Sequence, residues 1–140
     1  MSETIHACCA AIGERAVLIA GASGRGKSDL LLRLLDRGAV LVSDDYTRLS
    51  AAEGRLLASP PPTIAGRLEI RGVGIVDRPF REHVAVALLI DLDRVPERLP
   101  EPGVTALLGI AIPTIALSAL EPSAPLKVEA ALHLHGLAAP

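Results

Sequence analysis

Aromatic residues are almost absent from this chain: its 140 residues include one Phe, one Tyr and no Trp. A surface that stacks single-stranded nucleic acid bases is therefore not expected. The formal net charge of −2 also lacks the basic excess of nucleic-acid-binding domains. Half of the residues are hydrophobic, so we expect a folded aliphatic core rather than a disordered chain. The length is that of a single domain.

Cysteine is scarce as well, and its only two occurrences are the neighbours Cys8 and Cys9. Neighbouring cysteines rarely bridge each other, and an isolated pair has no metal-ligand spacing. Residues 1–15 also lack the basic and apolar regions of a secretion signal. These absences predict a protein of the reducing cytoplasm.

The longest uncharged stretch is Pro102–Leu120, which holds 19 residues. A membrane-spanning helix needs about 20 apolar residues, but prolines and glycines interrupt this stretch. We therefore expect no membrane span here, but two short buried strands separated at Pro113.

Hydrophobic runs and turn residues predict an α/β fold. A strand, a helix and a second strand follow one another closely, which predicts a βαβ unit with a parallel strand pair and a right-handed crossover. The predicted elements are the strands Arg15–Ala20, Ala39–Ser43, Leu68–Val76 and Val84–Leu92, and the helices Ser28–Arg37 and Ser123–Leu134.

A phosphate-binding loop lies between the first predicted strand and helix. The motif G-x-x-x-x-G-K-[ST] is matched at every fixed position by Gly21, Ala22, Ser23, Gly24, Arg25, Gly26, Lys27 and Ser28. Glycines let successive backbone N–H groups point inward, and the helix N-terminus favours anions. Lys27 would supply a charge for the outer phosphates, and the Ser28 hydroxyl suits Mg²⁺.

Two neighbouring carboxylates, Asp44 and Asp45, end the second predicted strand. Ligands of open parallel sheets bind at this edge, where the phosphate loop also lies. One carboxylate there could hold Mg²⁺, and the other could take a proton from an attacking hydroxyl. The alternative is that one of the two is only a solvated turn residue or a helix cap.

Three stretches together resemble the catalytic domain of the bacterial HPr kinase/phosphorylase family. They are Gly21–Ser28, Arg37–Asp45 and Gly66–Asp77, the last reading GRLEIRGVGIVD. That family phosphorylates a serine of the phosphocarrier protein HPr and removes the phosphate by phosphorolysis. The resemblance spans about Ile5–Asp77. It implies a P-loop kinase domain of the HPr kinase type over residues 1–140, with a mixed sheet, few flanking helices and no N-terminal regulatory domain.

For the nucleotide, the resemblance implies ATP with its phosphates on Lys27 and the loop amides. It implies Mg²⁺ ligands at Ser28 and Glu69. From the residues alone, Glu69 and Arg71 could equally be a surface ion pair, because residues i and i+2 of a strand share a face.

For the transfer step, the resemblance implies that Asp45 is the base in phosphorylation and the acid in the reverse direction, with Asp44 supporting Asp45 and the metal. It places His6 near the active site, although a solvated N-terminal histidine is the alternative. It assigns Arg71 to the shape of the pocket. The implied partner is an HPr-like phosphocarrier, and the implied assembly is a hexamer.

Two other functions remain open on the sequence. One is a different small P-loop NTPase or small-molecule kinase, which would turn over ATP without HPr. The other is a nucleotide-sensing module that binds HPr or another regulator without phosphoryl transfer.

Overall fold

The computed structural model describes residues 1–140 and shows a mixed α/β domain with only two helices. The helices are α1 (Lys27–Asp36) and α2 (Ala124–His135). The strands are β1 (Ser2–Ile5), β2 (Ala7–Ile12), β3 (Arg15–Ala20), β4 (Val40–Ser43), β5 (Thr47–Ala52), β6 (Arg55–Ser59), β7 (Arg67–Ile70), β8 (Gly74–Asp77), β9 (Val84–Asp91), β10 (Gly103–Leu107) and β11 (Ile110–Ala116). The predicted α/β class with few flanking helices is confirmed.

Nine strands form one sheet, and β9 lies at its centre. Seven of them follow the order β1-β5-β6-β9-β3-β2-β4, and the hairpin β10–β11 joins through β11. Strand β9 pairs in parallel with β3 and β11 and antiparallel with β6. Strands β7 and β8 form a separate two-stranded sheet.

Both faces of the central sheet are buried, which explains why its strands are continuous apolar runs rather than alternating ones. The cluster on one face contains Val17 and Ile19 of β3, together with residues of α1, α2 and β7. The cluster on the other face contains Ala16 and Leu18, covered by strands of the same sheet. Successive residues of a strand point to opposite faces, so each strand supplies both clusters.

Helix α1 follows the prediction to within one residue at each end. Its apolar face is fully or almost fully buried, and consists of Leu30, Leu31, Leu34 and Leu35. After the helix, the N–H groups of Gly38 and Ala39 bond the carbonyls of Leu35 and Leu34, each at 3.1 Å. This pair of bonds satisfies the last carbonyls and ends the helix at the predicted glycine.

The prediction that the two strands flanking α1 form a parallel pair is wrong. Strands β3 and β4 run in the same direction, but β2 lies between them and pairs antiparallel with both. The N-terminal residues that form β2 were not assigned to a strand from the sequence. Their insertion leaves β9 as the parallel neighbour of β3.

The uncharged stretch near the C-terminus forms two strands, but they do not separate at Pro113. The turn lies at Leu108 and Gly109, whose φ angles are 50° and 77°, and Pro113 lies within β11 opposite Val104. Proline is tolerated there because β11 pairs with β9 only from Thr114 onward. Strand β10 is also more exposed than predicted. Neither helix is long and apolar enough to cross a membrane.

The run Leu68–Val76 is a hairpin rather than one strand. Strands β7 and β8 pair antiparallel, and Leu68 lies opposite Val76. The Leu68 side chain is fully buried in the core cluster beside α1, whereas Ile75 on the partner strand is 67% exposed. Leu68 is therefore the one fully buried anchor of the hairpin that carries Glu69, and Ile70 and Val76 pack against the same cluster as partly buried side chains.

We expect Leu68→Ala to lower the free energy of unfolding by about 2–5 kcal/mol, the usual cost of truncating a buried leucine. Chemical denaturation with circular dichroism would measure it. The matched control is Ile75→Ala on the exposed side of the same hairpin, which should change stability little. Equal effects of the two variants would contradict the anchoring role of Leu68.

Candidate active site

The phosphate-binding loop has the predicted context, with β3 before it and α1 after it. Gly26 has a φ of 91°, and a Cβ atom there would lie 3.1 Å from the Ala119 Cβ. A Cβ atom on Gly21 would lie 3.0 Å from the Leu92 Cβ. Both motif glycines are thus required by backbone shape or by close packing.

Of the seven backbone N–H groups from Ala22 to Ser28, five have no hydrogen-bond acceptor within the chain. The loop N–H groups that do have one are those of Arg25, which bonds the Ala22 carbonyl at 3.1 Å, and Ala22, which bonds Asp93. The free N–H groups belong to Ser23, Gly24, Gly26, Lys27 and Ser28. Unsatisfied donors at a helix N-terminus form an anion site. The loop therefore fits the phosphates of a nucleotide.

The Lys27 side chain folds back to the first two residues of the loop and is only 6% exposed. Its Nζ donates to the Gly21 carbonyl at 2.6 Å and to the Ala22 carbonyl at 3.3 Å. A buried ammonium needs partners of this kind. These two bonds hold the Lys27 side chain against the first residues of the loop.

Asp44 joins the loop to the end of β4. Its Oδ1 accepts a hydrogen bond from Ser28 Oγ at 2.9 Å, and its Oδ2 accepts one from the Glu69 backbone N–H at 3.0 Å. The residue is 8% exposed. The predicted neighbours Ser28, Asp44 and Glu69 are thus together, with Glu69 linked through its backbone.

The Asp45 side chain points away from the phosphate loop and is exposed to solvent. Its side chain is 55% exposed, and its Oδ1 accepts a hydrogen bond from His6 Nε2 at 2.8 Å. The His6 ring stacks on Tyr46 with a centroid distance of 5.1 Å. His6 is therefore not a free N-terminal side chain. The Asp45 carboxylate remains accessible to a second molecule.

Asp45 also adopts an unusual backbone conformation, with a φ of 68°. Aspartate is among the few non-glycine residues that tolerate this left-handed region. The turn is closed by the Tyr46 N–H, which bonds the Asp44 carbonyl at 2.8 Å, and by a bond from Ser43 Oγ to the Tyr46 carbonyl. This turn separates the two carboxylates, one toward the loop and one toward solvent.

Arg71 lies in the turn after β7 rather than in the strand, so it does not share a strand face with Glu69. The alternative of a Glu69–Arg71 ion pair is not found in the structure, where Arg71 is exposed without a salt bridge. The structure brings Glu69 to Asp44, but it does not bring Arg71 into contact with the other site residues.

The oxygen atoms of Ser28 and Asp44 suit a hard cation such as Mg²⁺. No group of three or more His, Cys, Asp or Glu side chains is arranged to hold a metal ion. Mg²⁺ commonly binds one or two protein oxygens together with substrate phosphates and water, rather than an all-protein cage. The donor set next to the phosphate loop therefore fits Mg²⁺ that arrives with a nucleotide.

The family model described as HPr Serine kinase C-terminal domain matches residues 1–117. The chain belongs to this family. The match extends the resemblance seen over Ile5–Asp77 by about forty residues toward the C-terminus, through β9 and β11.

Individual family members agree with this assignment. The HPr kinase/phosphorylase of Clostridium tetani is 48% identical over 63 residues, which cover 45% of this chain and 21% of that protein. The HPr kinase/phosphorylase of Bordetella petrii is 33% identical over 130 residues, covering 83% of this chain and 42% of that protein. The chain thus spans less than half the length of these curated relatives. The solved structure of the Hpr(Ser) kinase/phosphatase from Coxiella burnetii superposes with a TM-score of 0.82 at 32% identity, covering 95% of each chain.

Two residues that contact the site were not predicted as site residues. Asp93, which follows β9, accepts the Ala22 N–H at 3.0 Å and pairs with Arg25 Nε at 3.3 Å. The sequence signal that could have indicated Asp93 is the apolar run before it, which ends in acidic residues. In the structure this run is a strand parallel to β3, and ligands bind at the carboxyl ends of such strands. Cys8 contacts Asp44 and Asp45 from β2, and no local sequence signal points to it.

Both thiols are buried and stay protonated. Burial raises the pKa of the Cys8 thiol to about 12, and the neighbouring Asp44 carboxylate adds to the rise. Burial also raises the pKa of Cys9. Because only the thiolate is nucleophilic, we expect a maleimide reagent at neutral pH to leave the native protein unmodified. Intact mass spectrometry should show two adducts only after denaturation, and a single adduct on the native protein would contradict this burial.

Proposed function

We propose that this chain is the catalytic domain of an ATP-dependent protein serine kinase that phosphorylates an HPr-like phosphocarrier protein. The observation that carries the proposal is the 2.9 Å hydrogen bond between Ser28 Oγ and Asp44 Oδ1. It joins a phosphate cradle to a pair of carboxylates, of which one faces the cradle and the other faces solvent. The names of the family members support the kinase activity and its acceptor.

The nucleotide end of the reaction uses the loop. The five free N–H groups would bind the β- and γ-phosphates of ATP, and Lys27 Nζ would turn from the carbonyls of Gly21 and Ala22 toward the phosphate oxygens. Ser28 and Asp44 would hold Mg²⁺, with Glu69 beside them. When bound, Mg²⁺ neutralises charge on the phosphates.

The acceptor end uses Asp45. Its exposed carboxylate would accept the proton of the incoming serine hydroxyl, while the serine oxygen bonds to the γ-phosphorus and the bond to the β-phosphate oxygen breaks. His6, which donates to Asp45 Oδ1, would fix the carboxylate with its second oxygen free for the serine. Phosphoryl transfer depends mainly on such positioning and on charge stabilisation.

The reverse direction uses the same groups. Inorganic phosphate would attack the phosphoserine and yield pyrophosphate, with protonated Asp45 returning its proton to the serine oxygen. The names of the curated relatives as kinase/phosphorylase support this second activity. ATP and HPr are cytoplasmic substrates, so the proposal places the chain in the cytoplasm, as the two reduced cysteines also predict.

The test is a transfer assay with Mg·ATP and an HPr protein. Intact mass should show one added phosphoryl group on HPr, and fragmentation should locate it on a serine. Turnover of ATP with or without HPr, and no modified HPr, would instead identify an NTPase. ATP binding with neither turnover nor modified HPr would identify a nucleotide-sensing module. Light scattering of the same sample would test the hexamer that the resemblance implies.

A further inference from the structure

The Cys8 thiol lies at the junction of the residues that form the proposed site. Its Sγ donates to Asp44 Oδ1 at 3.4 Å and accepts the Asp45 backbone N–H at 3.3 Å. Ser28 Oγ is 3.9 Å away. The side chain is fully buried, so it cannot touch a substrate. It does contact Ser28, Asp44 and Asp45, which would touch the substrates of the proposed reaction.

The two bonds use both hydrogen-bonding capacities of a thiol. A neutral cysteine has one S–H donor and a weak acceptor sulfur, and here the donor faces a carboxylate while the sulfur faces an N–H group. An aliphatic side chain at this position would leave the Asp45 N–H without its acceptor. This contact is part-buried, so the loss of the acceptor would weaken the turn by about the net contribution of one hydrogen bond.

The Asp45 backbone needs such support. Non-glycine residues in the left-handed region persist where the surroundings hold them there, and the φ of Asp45 is 68°. The Cys8 sulfur accepts a hydrogen bond from the Asp45 N–H. The N–H of the next residue, Tyr46, bonds the Asp44 carbonyl and closes the turn. The thiol therefore connects the orientation of Asp44 to the backbone geometry of Asp45.

We propose that Cys8 is a positioning residue, whose thiol orients the Asp44 carboxylate toward Ser28 and holds Asp45 in the conformation that presents its carboxylate to the acceptor. The inference rests on the proposed kinase function of the same site. Cys8 acts only through its neighbours and is not a catalytic residue.

The chain provides a matched control in Cys9. Both cysteines are fully buried in β2, but Cys8 belongs to the core cluster on the helix side and Cys9 to the cluster on the opposite face. Truncation of either thiol removes the same atoms from the same strand. A difference between Cys8→Ala and Cys9→Ala therefore reports the contacts of Cys8 with Asp44 and Asp45, not the loss of packing.

The first measurement is steady-state transfer to HPr. Partners that orient metal ligands typically contribute about 10–100-fold, so Cys8→Ala should lower kcat by about that factor with little change in KM for ATP. Cys8→Ser should retain most of the wild-type kcat, because a hydroxyl can make both bonds, and Cys9→Ala should match the wild type. Equal kcat values for Cys8→Ala and Cys9→Ala would overturn the proposal. If Cys8→Ala does not fold, Cys8→Val takes its place, since valine fills the volume without hydrogen bonding.

The second measurement does not depend on activity. Hydrogen exchange of the Asp45 amide, followed by NMR in the nucleotide-free protein, should become about tenfold faster in Cys8→Ala, as expected for loss of one hydrogen bond. It should be unchanged in Cys9→Ala. A wild-type protein that transfers no phosphate would refute the proposed function, and this exchange measurement would still decide the role of Cys8. Unchanged exchange in Cys8→Ala would overturn that role.

Discussion

Asp45→Asn should lower the rate of phosphoryl transfer to HPr by about 10²–10⁴-fold, the usual contribution of a positioned general base. Asparagine has the same shape as aspartate and also tolerates the left-handed region, so the φ of 68° is retained. Its side-chain oxygen can still accept the bond from His6. The variant thus removes the carboxylate of the proposed base and keeps its shape and backbone conformation. Steady-state kinetics with mass-spectrometric detection of phosphorylated HPr would measure the change.

A matched control for this variant is Asp36→Asn. Asp36 ends α1, is exposed and forms no salt bridge, so its replacement removes the same charge from a place outside the site. We expect wild-type rates from it. We also expect Asp45→Asn to bind ATP with wild-type affinity, because Asp45 faces away from the loop. A rate for Asp45→Asn close to that of the wild type would assign the base to another residue.

Lys27→Ala should lower the transfer rate by about 10²–10³-fold, the range observed when one donor to a developing negative charge is removed. The ammonium is the only lysine charge at the loop, and its partners are backbone carbonyls rather than carboxylates. Its charge is therefore available to phosphate oxygens. Unlike Asp45→Asn, this variant should also weaken ATP binding, which isothermal titration calorimetry would measure.

The sequence provides the control, since Lys127 is the only other lysine. Lys127 Nζ pairs with Glu121 at 3.0 Å near the start of α2, and exposed pairs of this kind contribute little to stability. Lys127→Ala should therefore bind ATP and phosphorylate HPr like the wild type. A comparable loss in Lys127→Ala and Lys27→Ala would refute the role of the loop lysine.

Elements fixed by nearby residues were predictable from the sequence. The phosphate loop and its flanking strand and helix depend on short-range signals, and the helix ended at Gly38 as expected. The short apolar strand Val40–Ser43 was also predicted within one residue. Asp44 lies beside Ser28 although the predicted pairing of β3 with β4 is wrong, because the two strands still run in the same direction and end at the same edge of the sheet.

Two hairpins, β2–β3 and β7–β8, were missed from the sequence although the strands of each are close neighbours in the chain. The strand β2 between β3 and β4 comes from the N-terminal residues, whose small and apolar side chains gave no alternation to indicate a strand partner. The contacts of Cys8 with Asp44 and Asp45 exist only because of that insertion. The hairpin containing Glu69 and Arg71 was missed because its turn, with Gly72 at a φ of 83°, was not distinguished from a continuous strand.

The inserted strand β2 also determines how far apart the ends of β3 and β4 lie. Neighbouring strands of a sheet are about 4.8 Å apart, so a directly paired β3 and β4 would end about that far from each other. With β2 between them, the ends of the two strands are separated by two such steps, about 10 Å. The antiparallel strand is thus a spacer between the loop that follows β3 and the two carboxylates that follow β4, and the hydrogen bond from Ser28 to Asp44 spans that separation through side chains.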